Sequence, residues 1–207
     1  AVLEQLLKVI RMIKISLIRH SKTEGNLHGR YIGKTDESLC EEGIYLAKCK
    51  KFTQVSHIYS SPLKRCIETA NIIYNGLKPI IIEELKECDF GDFENKNYKE
   101  LDGNEDYQKW IDSNGKLPFP NGESKEDFKK RSIIGFDKII SNIIRNKIRN
   151  ASIIAHGGTI MSVLDKYSYP NKEFYCWQVD NCCGYFIEID EQLWIKGEKK
   201  VKVLWKI

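Results

Sequence analysis

The sequence predicts an α/β fold, a three-layer α/β/α sandwich built around a mostly parallel sheet. Short runs of apolar, largely β-branched residues alternate along the chain with longer segments that have helical periodicity. The runs are apolar on both faces, as are strands that lie buried in a parallel sheet. Alternation of this kind is typical of sheets whose crossover helices cover both faces.

Six segments are predicted as strands. The first and the fourth are the clearest, because each is a short apolar run that ends abruptly in polar residues. The last two alternate apolar and polar residues, which predicts antiparallel edge strands. In chain order the predicted strands are residues 13–18, 57–59, 80–85, 151–155, 184–189 and 200–205.

Capping residues predict where helices begin. Ser38 and Glu41 have the spacing of a capping box. Ser61 is suited to be an N-cap, with Pro62 at the first helical position. The predicted helices are one that ends near residue 51, one that ends near residue 76, a long one that opens at residues 123–124, and one over residues 159–167.

Charged and nucleophilic side chains follow the predicted strands. Arg19 and His20 come directly after the first strand, and His156 comes directly after the fourth. Glu87 lies just beyond the third strand, and Arg65 falls in the first turns of the helix after the second. Because open α/β sheets bind ligands at the carboxyl ends of their strands, we expect these side chains to meet at one edge.

These residue types suit the transfer of a phosphoryl group, which needs a nucleophile, cations and a proton donor. The neutral imidazole of His20 would be the nucleophile and would form a phosphohistidine. Arg19 and Arg65 would hold phosphate oxygens, since guanidinium stays charged and presents a rigid donor fork. His156, if protonated, would add a third cation, and Gly157 and Gly158 would let the backbone approach the anion.

Four sequence blocks together resemble the histidine phosphatase superfamily, the family of the cofactor-dependent phosphoglycerate mutases. The resemblance runs from about residue 13 into the final strands, and it implies a phosphoglycerate mutase-like fold of the predicted kind. The blocks are LIRHSKTEGN at 17–26, SSPLKRCIETA at 60–70, LKECDFGDFE at 85–94 and IIAHGGT at 153–159.

The resemblance also implies roles for further residues. Glu87 matches the general acid of the family pattern Leu-x-Glu-x-x-Phe-Gly-x-aromatic-Glu, and would protonate the leaving oxygen before activating water. Asp89 and Glu94 lie nearby and remain alternatives for this acid. Asn26 and Thr23 are expected to contact or orient the phosphate in the first loop.

Ser21 departs from the family pattern, which usually has glycine directly after the nucleophilic histidine. If that position needs an unusual backbone conformation, serine would impose strain that glycine avoids. A phospholigand-binding relative without efficient chemistry is therefore kept as an alternative.

Within the superfamily the sequence favours the phosphatase branch. The interval between Glu87 and His156 is shorter than in the mutases, and residues 119–124 resemble the Pro-x-Gly-Glu-Ser element of phosphatases, including the α-ribazole phosphatases of cobalamin assembly. We expect a metal-independent phosphomonoesterase, with α-ribazole-5′-phosphate as the leading substrate. A broad-specificity sugar-phosphate or nucleotide phosphatase and a phosphoglycerate mutase are the alternatives. The charged and aromatic segment 92–122 is expected to cap the pocket and to set substrate choice.

Composition indicates which binding partners and which cellular compartment to expect. The net charge of +4 is spread along the chain rather than clustered, which argues against nucleic-acid binding, and no apolar stretch is long enough to span a membrane. Seven cysteines without Cys-x-x-Cys spacing or a secretory signal indicate reduced thiols in the cytoplasm, with no metal site. We expect a small-molecule phosphate monoester as the partner, no cofactor, and a monomer or homodimer.

No linker rich in proline, glycine and serine divides residues 12–207, which are expected to form a single domain. Position 1 is not methionine, and Met12 begins the first predicted strand. Residues 1–11 are therefore expected to be an N-terminal extension or an expression remnant.

Overall fold

Six strands form one sheet in the computed structural model, which describes residues 11–207. Residues 1–10, most of the expected N-terminal extension, lie outside the described residues. The strands are β1 (Met12–Arg19), β2 (His57–Ser60), β3 (Ile80–Ile81), β4 (Asn150–Ala155), β5 (Gly184–Asp190) and β6 (Lys202–Lys206).

The strand order is β3-β2-β4-β1-β5-β6. The first four strands of the chain, β1 to β4, pair with one another in parallel. β5 pairs antiparallel with β1, and β6 pairs antiparallel with β5. The register of the central pair sets Arg19 opposite Ala155, and the His20 amide donates to the Ala155 carbonyl at 2.9 Å. The residues that follow these two strands therefore leave the sheet side by side.

Helices cover both faces of the sheet, which confirms the predicted three-layer α/β/α sandwich. Leu17 and Ile153 belong to the core on one face, and Ile18 and Ile154 belong to the core on the other. Because successive residues of β1 and β4 are buried on opposite faces of the sheet, both strands are continuous apolar runs in the sequence. The helices in the described residues are α1 (Glu24–Leu27), α2 (Glu41–Cys49), α3 (Lys64–Ile73), α4 (Glu105–Asp112), α5 (Lys125–Arg145), α6 (Gly157–Tyr167) and α7 (Glu191–Ile195).

The predicted capping box of α2 is wrong. The N-cap is Cys40, whose Sγ accepts from the Gly43 amide at 3.4 Å. The Cys40 amide donates to the Lys22 carbonyl, and a Cβ on Gly43 would lie 2.0 Å from that same oxygen. The start of α2 is therefore set by its close packing on the loop after β1 rather than by Ser38 and Glu41.

The predicted start of α3 is also wrong, since the helix begins at Lys64 with Leu63 as N-cap. The Ser61 hydroxyl accepts from the Leu63 amide at 3.4 Å, ahead of the helix, and it also contributes to the site, where it lies 2.9 Å from His156 Nε2. The long helix α5 does begin as predicted, with the Ser124 hydroxyl accepting from the Asp127 amide.

Two strand predictions need correction. The third strand is only two residues long, because residues 83–85 turn into a 3₁₀ helix that buries Leu85 against Gly135 of α5. β5 is an inner strand between β1 and β6, so only β6 lies at that edge of the sheet. Among the described helices, none combines the length and the apolar character that a membrane crossing requires.

Candidate active site

His20 is buried directly after β1, and its hydrogen bonding fixes its tautomer. Nδ1 lies 2.6 Å from the Ser21 carbonyl oxygen. Because a carbonyl can only accept, Nδ1 carries the proton and Nε2 keeps its lone pair. Burial, and then the charges of Arg65 and Arg19, hold the pKa of His20 well below its usual 6.5. The neutral imidazole with an available Nε2 is the form that a nucleophile requires.

His156 is buried at the start of α6, beside His20. The two rings meet edge to face, with centroids 5.1 Å apart. Its Nδ1 is 3.9 Å from Glu87 Oε2. Burial, and then the Arg65 charge, hold the pKa of His156 well below 6.5, so this side chain is neutral in the protein alone. The expected third cation therefore requires a bound anion, whose charge would favour the protonated form.

Arg19 ends β1 and anchors its guanidinium to the backbone. Nη1 donates to the Val179 carbonyl at 2.9 Å, while the buried Nε has no acceptor among the described residues. A buried donor without an acceptor costs about 1–3 kcal/mol. The oxygens of a bound anion would offset this cost.

Arg65 is buried in the first turn of α3, as predicted, and it has the same feature. Nη1 donates to the Thr35 carbonyl at 2.9 Å, and Nη2 donates to the Gly33 carbonyl at 2.9 Å. The buried Nε has no acceptor among the described residues. Arg65 thus shapes the loop at residues 32–35 and still leaves one donor for a ligand.

Gly157 and Gly158 open α6 next to these side chains. A Cβ on Gly157 would make ordinary contact with Arg19, at 3.7 Å. A Cβ on Gly158 would lie 2.7 Å from the Phe128 ring and 3.1 Å from Glu87 Oε1. Of the two predicted glycines, Gly158 is therefore the one whose close packing leaves no room for a side chain.

Glu87 lies at the same edge of the sheet, with most of its carboxyl group buried. Its Oε1 accepts from the Cys88 amide at 3.0 Å. Burial raises the pKa of Glu87 above its usual 4.5, although the Cys88 amide and the arginines oppose this shift. A raised pKa favours the protonated form, which is the form that a general acid needs.

The two alternative acids are engaged elsewhere. Glu94 Oε1 accepts from the amides of Gly33 and Thr35, both at 2.9 Å. Asp89 forms an ion pair with Lys34 and accepts from the Gly91 amide. Both side chains hold loops in place, which leaves Glu87 as the carboxyl group beside His156.

Arg131 of α5 holds the loop that carries Glu87, and sequence reasoning missed it. Nη1 donates to the carbonyls of Glu84 and Lys86, at 3.0 and 2.8 Å. Nε and Nη2 bind both carboxylate oxygens of Glu123, at 3.0 and 2.7 Å. Glu123 belongs to the Pro-x-Gly-Glu-Ser element. An arginine about two helical turns after this glutamate was the feature of the sequence that could have indicated their ion pair.

Thr23 and Asn26 form the capping box of the short helix α1. The Thr23 hydroxyl accepts from the Asn26 amide at 3.3 Å, and Asn26 Oδ1 accepts from the Thr23 amide at 3.2 Å. Both side chains thereby order the first loop. Among the described residues Asn26 Nδ2 donates to no acceptor, so it is the group that this pair can offer to a phosphate.

Asn181 is a second residue that the sequence did not indicate. Its Nδ2 lies 3.1 Å from the His20 carbonyl oxygen, 3.1 Å from Asn26 Oδ1 and 3.4 Å from the Ser21 carbonyl oxygen. It belongs to none of the four sequence blocks, and its contacts join residues about 160 positions apart.

Ser21 fits its position without strain, because the position does not need the unusual backbone conformation that would favour glycine. It is not among the residues with positive φ. Its hydroxyl donates to the Gly43 carbonyl at 2.7 Å, and its amide donates to the Thr69 hydroxyl at 2.9 Å. The serine therefore ties the loop after β1 to α2 and α3.

Two cavities meet at Glu87. The first, of about 380 Å³, also borders Arg19 and Gly157, and its walls are largely aromatic. The second, of about 570 Å³, is bordered mainly by charged and polar side chains, among them Lys34 and Arg131. In residues 11–207 no group of three His, Cys, Asp or Glu side chains is arranged to hold a metal ion. The aromatic residues of the first cavity are Tyr31, Phe90, Trp110, Phe119, Phe128, Phe174 and Tyr175.

The segment 92–122, predicted to cap the pocket, supplies part of the aromatic wall. It contains α4, whose Trp110 stacks on Phe119 with ring centroids 5.0 Å apart. Phe90 packs edge to face on the same Phe119, also at 5.0 Å. The cap is thus held over the site by aromatic contacts.

Comparison with known proteins identifies the family. The family model of the histidine phosphatase superfamily, branch 1, matches residues 15–198. The adenosylcobalamin/alpha-ribazole phosphatase of Salmonella typhimurium (strain LT2) is 27% identical over 190 residues, which cover 86% of this chain and 92% of that protein. The 2,3-bisphosphoglycerate-dependent phosphoglycerate mutase of Rhizobium etli is 32% identical over 170 residues, covering 73% and 78%. The crystal structure of the alpha-ribazole phosphatase from Shigella flexneri gives a TM-score of 0.75 at 24% identity, over 93% of this chain and 95% of that one.

The matched range includes all the residues from Arg19 to His156 that surround the buried histidines. The resemblance drawn from the four sequence blocks is confirmed, and so is the expected enzyme class, a phosphoric monoester hydrolase. The chain belongs to the histidine phosphatase superfamily.

Proposed function

We propose that the protein hydrolyses phosphate monoesters without a metal ion, through a phosphohistidine at His20, and that its preferred substrate is α-ribazole-5′-phosphate. One observation carries the proposal: a cavity with aromatic walls borders both Arg19 and Glu87, next to a buried histidine whose Nε2 is available.

In the first half-reaction His20 Nε2 attacks phosphorus, and the bond from phosphorus to the leaving oxygen breaks. The Nε–H groups of Arg19 and Arg65 stabilise the equatorial oxygens, where charge is spread in the transition state. Glu87, whose protonated form is favoured by its raised pKa, gives its proton to the leaving oxygen. The products are phosphohistidine, an alcohol and the Glu87 carboxylate.

In the second half-reaction a water molecule attacks the phosphohistidine. Glu87, now a carboxylate, takes a proton from this water, and the bond from phosphorus to Nε2 breaks. Orthophosphate leaves, His20 returns to its neutral form, and Glu87 is again protonated. Because the Ser21 carbonyl holds the proton on Nδ1 throughout, Nε2 is the nitrogen that reacts in both steps.

The aromatic walls support a planar, largely apolar leaving group. The benzimidazole base of α-ribazole-5′-phosphate can pack against rings such as Tyr31 and Trp110. A sugar phosphate without a base would leave the ring faces uncovered and place only hydroxyl groups against them, where unpaired polar groups are costly. The 27% identical relative named an adenosylcobalamin/alpha-ribazole phosphatase supports the same substrate.

The test is phosphate release near neutral pH, with a chelator present, from a panel of monoesters. The panel contains α-ribazole-5′-phosphate, sugar phosphates, nucleoside monophosphates, phosphoserine and 3-phosphoglycerate. We expect α-ribazole-5′-phosphate to give the highest kcat/KM, and His20→Ala to abolish release from every substrate. His28→Ala changes an exposed histidine in the same loop region and should behave like the wild type.

Broad and similar turnover across the panel would keep the chemistry and reject the proposed substrate. Isomerisation of 3-phosphoglycerate in the presence of a bisphosphorylated primer would identify a mutase. Ligand binding without phosphate release by a folded sample would reject catalysis altogether.

A further inference from the structure

Lys125 brings a positive charge into the aromatic cavity, and neither the phosphate contacts nor the proton transfer described above uses it. It is the first residue of α5 and borders the cavity together with Gln178. Its Nζ lies 4.4 Å from the centroid of the Phe174 ring and 4.7 Å from that of Tyr175. Within residues 11–207, no carboxylate lies within 4.0 Å of this ammonium group.

Lys125 borders the aromatic cavity, which the proposed function assigns to the leaving group. Phe128, one turn later on α5, packs against Gly158 beside Glu87. One helical turn advances about 5 Å along the axis, so Lys125 stands about that far along α5 from the ring next to the reacting groups. The ammonium group is also held on two aromatic faces by cation–π attraction, which restricts where it can donate.

The charges around the cavity define what Lys125 can recognise. Arg19 is assigned to phosphate oxygens, and the carboxyl group of Glu87 is assigned to the leaving oxygen. An ammonium group has three donors and no acceptor, and here its protein contacts are ring faces. A leaving group that fills this cavity satisfies Lys125 if it is flat, mostly apolar and has one hydrogen-bond acceptor on its edge.

We infer that Lys125 is a specificity-determining residue that donates a hydrogen bond to the unsubstituted ring nitrogen of a heteroaromatic leaving group. The inference rests on the proposed function. A benzimidazole joined to ribose through one nitrogen keeps an in-plane lone pair on the other. The rings around the cavity pack on the faces of such a base, while Lys125 donates a hydrogen bond to the nitrogen at its edge.

The expected discrimination follows from the cost of leaving this donor without an acceptor. A hydrogen bond that involves a charged group contributes enough to change binding about ten- to hundredfold. A carbon isostere, with C–H in place of the ring nitrogen, keeps the shape and the apolar area but lacks the acceptor. The protein should therefore prefer the benzimidazole by that factor, and the preference should depend on Lys125.

The experiment compares kcat/KM for α-ribazole-5′-phosphate and for the corresponding indole ribotide, with phenyl phosphate as a reference for the chemistry. The proteins are the wild type, Lys125→Met, Lys125→Arg and Lys130→Met, which changes an exposed lysine on the same helix. We expect Lys125→Met to lower kcat/KM ten- to hundredfold for the benzimidazole, chiefly through KM, and less than threefold for the other two substrates. Lys125→Arg should recover part of the preference, and Lys130→Met should match the wild type.

An equal loss on the benzimidazole and the indole substrates in Lys125→Met would overturn the inference, as would a wild type that does not distinguish them. The proposed function is judged separately, by the rank of α-ribazole-5′-phosphate in the wider panel. If α-ribazole-5′-phosphate ranked low in the panel but the protein still preferred benzimidazole to indole through Lys125, the proposed substrate would be rejected and the inference kept. Failure to turn over or bind either ribotide would reject both.

Discussion

His20 Nδ1 and the Ser21 carbonyl oxygen are 2.6 Å apart, and this contact decides which nitrogen of the nucleophile is available. The acceptor is a backbone carbonyl, so the contact does not depend on the side chain at position 21. The Ser21 side chain is engaged elsewhere, with its hydroxyl on the Gly43 carbonyl. This separation of roles explains how serine can stand where the family usually has glycine.

Ser21→Gly should lower stability and leave the chemistry intact. It removes the hydroxyl bond to Gly43, worth about 1 kcal/mol, and adds backbone freedom to the unfolded chain, worth about 0.5–1 kcal/mol. Urea unfolding should show a loss of about 1.5–2 kcal/mol, while kcat per folded molecule should stay within about threefold. A more than tenfold rise in kcat would instead mean that serine restrains the nucleophile.

Asn181→Asp should shift the acid limb of the kcat/KM profile to higher pH. The new carboxylate cannot donate to the carbonyl oxygens of His20 and Ser21, and its negative charge favours protonated His20. One pH unit corresponds to about 1.4 kcal/mol of such an interaction. Profiles for both proteins are measured on one substrate, so its own ionisation affects both equally.

Asn181→Ala is the matched variant, because it removes the same donor without adding charge. We expect a lower kcat with an acid limb close to that of the wild type. If both variants changed kcat alone and left the pH profile in place, Asn181 would have only a structural role.

Glu87→Gln should have an effect that depends on the leaving group. An amide cannot protonate an alkoxide, so kcat/KM for an alkyl phosphate should fall about 10²–10⁴-fold. p-Nitrophenolate leaves without a proton, so phosphohistidine formation from p-nitrophenyl phosphate should be nearly unchanged. Its hydrolysis still needs a base, and rapid mixing should therefore show a burst of p-nitrophenol followed by slow turnover.

Asp89→Asn is the control for that experiment, since Asp89 is paired with Lys34 on an outer loop. It should show neither the dependence on the leaving group nor the burst. An equal response of the two variants would contradict the assignment of Glu87 as the acid.

Stability should fall as the pH is lowered through 6.5 toward 5. Burial holds the pKa values of His20 and His156 well below 6.5 in the folded protein, whereas in the unfolded chain they titrate near 6.5. Below pH 6.5 the unfolded state therefore binds more protons, and protonation favours unfolding. Urea titrations at pH 7, 6 and 5 give the free energy of unfolding at each pH, and from these values the slope of stability against pH.

The slope should be smaller in His156→Gln, which removes one of the two titrating groups. His28→Gln alters an exposed histidine and should keep the slope of the wild type. Equal slopes in all three proteins would mean that buried histidines do not govern acid sensitivity in this range.

The sequence was most informative where a strand of the core is followed directly by a residue of the site. β1 and β4 are apolar on both faces and end abruptly, so the positions of His20 and His156 followed from the pattern. Arg131 and Asn181 could not be found in this way, because their partners are loops far away in the sequence. The start of α2 was missed for a similar reason, since its close packing on Lys22 decides it.

Glu87 borders both the aromatic and the polar cavity. In the proposed mechanism the same carboxyl group protonates the leaving oxygen and then activates water. The attacking water must approach phosphorus in line with Nε2, from the position that the leaving oxygen occupied. The second half-reaction therefore has to wait until the alcohol has left that position, and a slowly departing base would limit the release of phosphate.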